Sequence, residues 1–594
     1  TTSVIVDLPA KVHEALLLED GAHLIHRLQV HSEQLVEYAK SWIAFFSGDV
    51  LQQVVAALTR AKFDEVFDLL FKNDVEKSSL HKDHFGFAKL LISVTASSKL
   101  VCMHSTGRNI VWTTQIPTHL GLLVDRLIIS QKLSSHGPVV LAIAKSTKNP
   151  STTYSFEIEA LTGQVSNLKQ YDLEVASLLT PNIFDSEEKQ VVVFVSKKNQ
   201  LYADATGAKF ELSGSSFHYY LAEESTGLVT GYGLAETAKI GKETNSNNRK
   251  FGDFDSLSVV KVSLTAIPTV ERWQVNLGAP IDAMAQTELH TISPGKVVGV
   301  DKEVLPKYLN PNLVAIGTTQ SVSTSAAHSS DSDKSSKNTN LQVSILDTVT
   351  GSIVHRVYQR GAIGRPEVSG VQDLKKDQTH PMRMKMVFHD NWLIFSYWST
   401  RSHRFELTSV ELFQKESAYV IGNPKPSSAH GAQVELNVKS QSFILMGGLR
   451  AMGVTKTLLG ISNQDVLLVY QDGKVSQISI KFLDPRRPLV QDDDPTLRQY
   501  FAYIPLDGST VINYHQTLAG VHTVLTNPTS LESSTIVWIS GLDFFVRLVA
   551  QNSFDRLAHD YSFLQIFTIL IGLGIAVYVF KYLARKKELN EKWR

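Results

Sequence analysis

Apolar and polar positions follow two different periods along this chain, and the change of period divides it. Between residues 20 and 47 the spacing is helical: Leu24, Ile25, Leu28, Leu35, Val36, Trp42, Ile43 and Phe46 form one stripe, while Arg27, Glu33, Glu37 and Lys40 lie opposite. Residues 1–80 therefore read as a region built on an amphipathic helix. Fully burying one large aliphatic or aromatic side chain is worth roughly 1.5–3 kcal/mol, so a stripe of this width must face protein, lipid or both.

From 81 to 490 the period becomes two. β-branched runs such as Leu90–Thr95, Val139–Ile143, Leu341–Leu346, Trp392–Tyr397 and Val466–Tyr470 recur between turn signals. Thr-Gly or Asp-Gly corners stand at 105–112, 159–165, 204–210, 347–354 and 471–478, where glycine supplies the φ > 0 position of a hairpin. Such units, repeated every 45–60 residues or so, predict the blades of a β-propeller; a pair of β-sandwiches is the competing architecture. The corners resemble the quinoprotein-type propeller repeat, an acidic-x-x-Thr-Gly turn followed by Trp. Only Trp112 fills the Trp place, one residue late, so the repeats are degenerate. The Ser-rich stretch 321–340 and the polar stretch 242–256 predict loops, the former disordered.

A third pattern closes the chain. Phe563–Phe580 is an uncharged run of eighteen residues, with Gly572 and Gly574 inside it. That suits a transmembrane helix over 561–582, flanked by Tyr561 and Tyr582 as interfacial aromatics. The tail 583–594 is basic. Lys581, Arg585, Lys586 and Lys587 outweigh the charges before the run, which predicts a cytosolic C-terminus and a non-cytosolic bulk. Residues 491–560 lead into the span, and 541–557 reads as a juxtamembrane amphipathic helix.

Composition narrows the function. A formal net charge of zero gives no electrostatic case for nucleic acid. The single cysteine, Cys102, rules out an internal disulfide framework. The chain starts at Thr1 without a signal peptide although the anchor requires translocation, so it reads as part of a longer protein whose N-terminal half could complete some blades. Catalytic signatures are missing: there is no G-x-S-x-G, H-E-x-x-H, C-x-x-C or Walker loop. His23 and His26 lack a carboxylate or thiol to complete a metal site. No cofactor and no catalytic residue is expected. One turn stands out, KFLDPRRPLV at 481–490. Pro485 and Pro488 fix its backbone beside Asp484, and Arg486 and Arg487 present their donors either to local carbonyls and carboxylates or to a partner.

Several stretches together resemble the C-terminal part of subunit 1 of the ER membrane protein complex (EMC). They are VDLP at 6–9, FGFAKLLISVTASSKLVCMHSTGRNIVW at 85–112, SYWSTRSHRFELTSVELF at 396–413, MGVTKTLLGISNQDVLLV at 452–469, LDPRRPL at 483–489 and the terminal span. They occur in the family's order, and LDPRRPL is the most specific. The resemblance implies a mainly-β chain: a lumenal propeller, an amphipathic helix braced along the membrane and a single C-terminal transmembrane helix. It implies a non-enzymatic scaffold of an ER insertase for tail anchors and the first spans of multipass proteins. The implied partners are other complex subunits, lipid and, indirectly, transmembrane clients. The alternatives are a single-pass receptor, disfavoured by the missing disulfides and glycosylation sequons, and an anchored quinoprotein-like enzyme, disfavoured by the missing catalytic set.

Overall fold

The computed structural model describes residues 3–8, most of 80–552 and a helix at 563–592, whose side chains are described from Ile569. Outside the described residues lie 9–79, 241–258, 323–337, 365–382, 487–503, 555–562, nearly all of 416–435 and stretches of up to five residues elsewhere.

The strands KLLISV (Lys89–Val94), DVLLVY (Asp465–Tyr470) and STIVWIS (Ser534–Ser540) are buried at every position. A strand covered on both faces needs a sheet against each face, and radial stacking of sheets supplies this. Among the described residues, eight sheets have three or more strands, and they form the eight blades of a propeller. Blade 1 is Ser3–Asp7, Lys89–Val94, Lys99–His104 and Ile110–Gln115; blade 2 is Leu122–Gln131, Val139–Ser146, Thr153–Glu159 and Val165–Tyr171. Blade 3 takes Val175–Leu179, Val193–Ser196 and Leu201–Asp204, and borrows Leu264–Ile267 as its fourth strand. Blade 4 is His218–Glu223, Leu228–Leu234 and Thr269–Asn276. Blade 5 is Ile281–Gln286, Leu313–Val322, Asn338–Asp347 and Ile353–Arg360; blade 6 is built on Lys385–His389, Trp392–Ser399, Arg404–Gln414 and Leu436–Leu445. Blade 7 is Leu449–Val454, Asp465–Tyr470 and Val475–Ser479; blade 8 is Thr523–Pro528, Ser534–Ser540 and Phe544–Ala550.

Each boundary between blades has its own apolar filling. Leu100 and Ile116 meet Phe156 and Ile158 between blades 1 and 2, and Ile143 and Tyr171 meet Leu178 and Phe194 between 2 and 3. The same occurs between 3 and 4, 4 and 5, 5 and 6, 6 and 7, and 7 and 8. The last boundary closes the circle, with Trp538 of blade 8 packing on Ile5 and Leu91 of blade 1. The ring thus closes within this chain, and blades 4, 7 and 8 each show three strands among the described residues.

Several other boundaries differ from those read in the sequence. The propeller does not begin at 81: Ser3–Asp7, placed with the helical region, pairs with the second strand of blade 1 (Val6↔Leu90, Asp7↔Lys89), so residues 8–88 form an excursion between two paired strands. It does not end at 490, since blade 8 reaches Ala550. Phe544–Ala550 is a strand, not part of a helix, because FFVRLVA has only one polar residue and fits either period. Strands Leu313–Val322 and Asn338–Asp347 extend into the stretch expected to be disordered, pairing Val322 with Asn338. The corner at 204–210 is not a hairpin; Phe210–Leu212 leaves blade 3 and pairs with Ala238–Ile240.

The other corners form as expected. Gly163 and Gly351 adopt φ of +76° and +73°, and each is capped by a Trp from the preceding blade. The Trp112 indole lies where a Cβ on Gly163 would be, 2.5 Å away, and its Nε1 donates to Ala160 O at 2.8 Å. Trp273 covers Gly351 in the same way and donates to Thr348 O at 3.2 Å. Two positions therefore fill the Trp place, not one.

Candidate docking face

In each regular blade the first strand runs toward one face of the ring and its antiparallel neighbour runs away from it. Connections from first to second strands, and those leaving third strands, therefore collect on that face, here called the exit face. The excursion 8–88 leaves and re-enters there, and the chain departs from it after Ala550.

Loop 529–533 of blade 8 ties these departures together. Ser530 N donates to Phe85 O at 2.9 Å, holding the end of the excursion. Gln551 N donates to Ser533 O at 2.9 Å, holding the start of the C-terminal segment. Between them, the Glu532 carboxylate accepts from the N–H groups of Leu459 at 3.0 Å and of Gly460 and Ile461 at 2.8 Å. Burial alone would raise the Glu532 pKa, but these N–H donors and the Thr457 hydroxyl outweigh it and hold the carboxyl below its usual range. Nearby, Lys89 Nζ reaches both Asp7 and Asn527, joining blades 1 and 8.

The Pro-Arg turn lies on the same face, after the third strand of blade 7. Arg486 Nε and Nη2 grip Asp484 at 2.9 and 2.8 Å, Nε lies 3.2 Å from Glu411 of blade 6, and Nη1 donates to Val298 O at 3.3 Å. Val298 belongs to a hairpin, Lys296–Val298 with Val304–Pro306, inserted between the first two strands of blade 5. One guanidinium thus joins blades 5, 6 and 7. Burial pushes the Glu411 carboxyl up to about 7 although Arg486 and Lys307 oppose this, and burial lowers Lys307 although Asp390 and Glu411 oppose it. Glu411 and Lys307 escaped sequence reasoning because their contacts cross blade boundaries. Pro485 lies in the described turn, whereas Arg487 and Pro488 lie outside the described residues, as do Leu24, Ile25, Leu28, Leu35, Val36, Trp42, Ile43 and Phe46.

Past the exit face, helix α1 runs unbroken from Phe563 to Lys592. It continues through Lys581, Arg585, Lys586 and Lys587, so the basic tail is helical; KYLARKKELNEK is made largely of strong helix formers. A Cβ at Gly572 or Gly574 would meet nothing within 4 Å, and Ile575, Val577 and Phe580 are exposed. Among the described residues no helix is long and apolar enough to cross a membrane. The described side chains take in only Ile569–Phe580 of the eighteen-residue run.

A cavity of about 110 Å³ lies between blades 2 and 3, but its lining charges face each other, Lys169 to Asp204 at 2.5 Å and Lys189 to Glu157 at 3.5 Å. Among the described residues no cluster of three metal-ligating side chains occurs.

A sequence model described as "ER membrane protein complex subunit 1, second beta-propeller" matches residues 86–551. The chain belongs to this family. Among curated relatives, the ER membrane protein complex subunit 1 of Xenopus laevis is 27% identical over 545 residues, covering 88% of this chain and 48% of the relative. That of Schizosaccharomyces pombe is 31% identical over 367 residues, covering 60% and 37% respectively. The chain spans about half the length or less of these two relatives. Solved structures align loosely, among them BamB from Moraxella catarrhalis at TM-score 0.26 and 10% identity, over 66% of this chain and 82% of that one.

Proposed function

We propose that this chain of the EMC subunit 1 family is a non-enzymatic scaffold in an ER membrane-protein insertase, with its propeller in the lumen and α1 anchoring it through the bilayer, C-terminus in the cytosol. The observation that carries this reading is the shared exit. The two segments with membrane-seeking patterns, 9–79 with its apolar stripe and 563–580 with its uncharged run, leave the same face of the ring within reach of one five-residue loop. A helix of thirty residues is about 45 Å long, enough to cross the ~30 Å hydrocarbon core with its basic end beyond. A single span leaves a domain free to tilt. A second membrane contact at the stripe would fix the orientation, which is what a brace for neighbouring transmembrane subunits requires. The Arg486 turn, which locks three blades, would keep the exit face rigid for lumenal partners, and clients would be met only indirectly.

The test is affinity purification of the full-length protein in mild detergent. Wild type should bring down a stoichiometric multi-subunit assembly. Leu35→Asp with Ile43→Asp should lower its yield several-fold while the propeller stays protease-resistant. A wild-type protein purifying as a monomer would overturn the scaffold reading, and a normally assembling double variant would overturn the brace.

A further inference from the structure

Loop 529–533 grips a third element besides the two chain exits, the connection between the first and second strands of blade 7. Its residues Leu458, Leu459 and Ile461 are exposed by 56%, 36% and 62%. Long aliphatic loops in water usually fold their side chains inward, but this backbone is not free to do so. Three successive N–H groups are held by Glu532, the Ser462 hydroxyl donates to Glu532 O at 2.8 Å, and Gly460 N also donates to Thr457 Oγ1 at 3.1 Å. Gly460 has φ +90°, a conformation that turns the chain back and leaves its neighbours projecting. The result is a rigid loop displaying three large aliphatic side chains. On the same face Phe85, Phe482 and Phe554 are also exposed. A patch of this kind on a fixed frame marks a contact surface.

We propose that Leu458, Leu459 and Ile461 form a wedge that enters the acyl-headgroup boundary of the bilayer beside α1. Chain length argues for lipid. Gln551 sits on the loop that holds the wedge, and residues 552–562 span at most about 40 Å when fully extended, so the first turn of α1 lies within that distance of the wedge's own anchor. A bilayer crossed by α1 is therefore within reach of this face, and aliphatic tips without charge suit its interfacial zone. The inference rests on the reading that 563–580 spans the membrane. It adds a third contact that would set the height of the ring above the bilayer.

Cys102 is the lone cysteine of this sequence, so labelling is site-directed once any cysteine elsewhere in the full-length protein has been replaced by Ser. Cys102 is buried and its thiol is pushed up to about 12 by that burial, so it should stay unlabelled at neutral pH. In the full-length protein, Ile461→Cys, Leu542→Cys and Ile571→Cys would each carry an environment-sensitive fluorophore, in phosphatidylcholine nanodiscs with or without lipids bearing a nitroxide at acyl carbon 5. Leu542 is 78% exposed on the opposite face and serves as the aqueous control. The probes at 461 and 571 should lose at least half their emission to the nitroxide lipid, and the probe at 542 should lose almost none. Quenching of 461 by aqueous iodide as strongly as 542 would overturn the wedge. So would protection of 461 from both quenchers, which would mean a protein partner or the chain's own 9–79 segment on the tip. Both results leave the anchor intact if 571 is quenched by lipid; if 571 is not, the anchor reading falls and takes the wedge with it.

Discussion

At the scale of single residues, the tryptophans and the arginine turn show what kind of information a sequence carries. Trp112 was legible because it follows its own turn within one hairpin. Trp273 was not, because residues 235–268 intervene between the blade 4 hairpin and the strand that carries it. Trp112→Ala would remove a half-buried ring and its hydrogen bond to Ala160, at a cost of about 2–3 kcal/mol, and Trp273→Ala a similar amount. Urea unfolding of each variant should show the drop in midpoint, and an unchanged midpoint would mean that the blades do not depend on these caps. Arg486 was conspicuous from its motif, but Glu411 was not. Glu411 is held neutral more readily than usual, by burial against the opposing pull of Arg486 and Lys307 and with the help of Asp484. Its folded pKa, about 7, lies above the ordinary 4.5, so between those values the folded state holds a proton that the unfolded state has lost. This group therefore makes stability fall as pH rises from about 4.5 to 7. Glu411→Gln should flatten that slope, as read from urea midpoints across the window. A slope identical to wild type would show that Glu411 titrates normally.

At the scale of elements, the blades were legible wherever a strand run and its corner lie together. Failures came where pairing is distant or the period ambiguous. Ser3–Asp7 pairs across more than eighty residues, so nothing local marks it as a blade strand. Phe544–Ala550 satisfies both periods over seven residues, and only its place between Ser534–Ser540 and the ring edge decides it. The loop at 457–462 is another such element: TLLGI reads as a continued apolar run until Glu532, seventy residues on, is seen to hold its N–H groups. Because the carboxylate accepts from three N–H groups, Glu532→Ala should leave the Leu459 and Ile461 amides without their acceptor and Gly460 N with only the Thr457 hydroxyl, while the flanking strands remain. Hydrogen exchange at Leu459, Gly460 and Ile461 should accelerate by at least tenfold, with Asp465–Tyr470 unaffected. Unchanged protection of the three amides would show that the loop is rigid without the carboxylate.

At the scale of the whole molecule, closure is the organising fact. A linear stack of sheets leaves two terminal faces, and its ends fray independently. Here the first strand of blade 1 places Ile5 against Trp538 of blade 8, so every blade is covered on both sides. The long excursion 8–88 costs little in this arrangement, since the entropy of closing a loop grows only slowly with its length, while the strand before it gains a full set of pairs with Lys89–Val94. Closure also explains why the two exits are neighbours: blade 1 and blade 8 are adjacent only because the ring is shut. Ile5→Asp tests this. The side chain is almost fully buried, and a carboxylate there would be desolvated at the seam, so a loss of 3 kcal/mol or more is expected. In a closed ring the damage cannot stay local, because opening the seam exposes the apolar faces of blades 8 and 1 together and lets each neighbour loosen in turn. Unfolding should therefore remain one cooperative transition at lower urea, and native-state hydrogen exchange should show protection falling in blades 7, 8, 1 and 2 alike. Loss confined to the strands of blade 1, with blade 8 as protected as before, would mean that the seam carries no load and that the ring is held by its other boundaries.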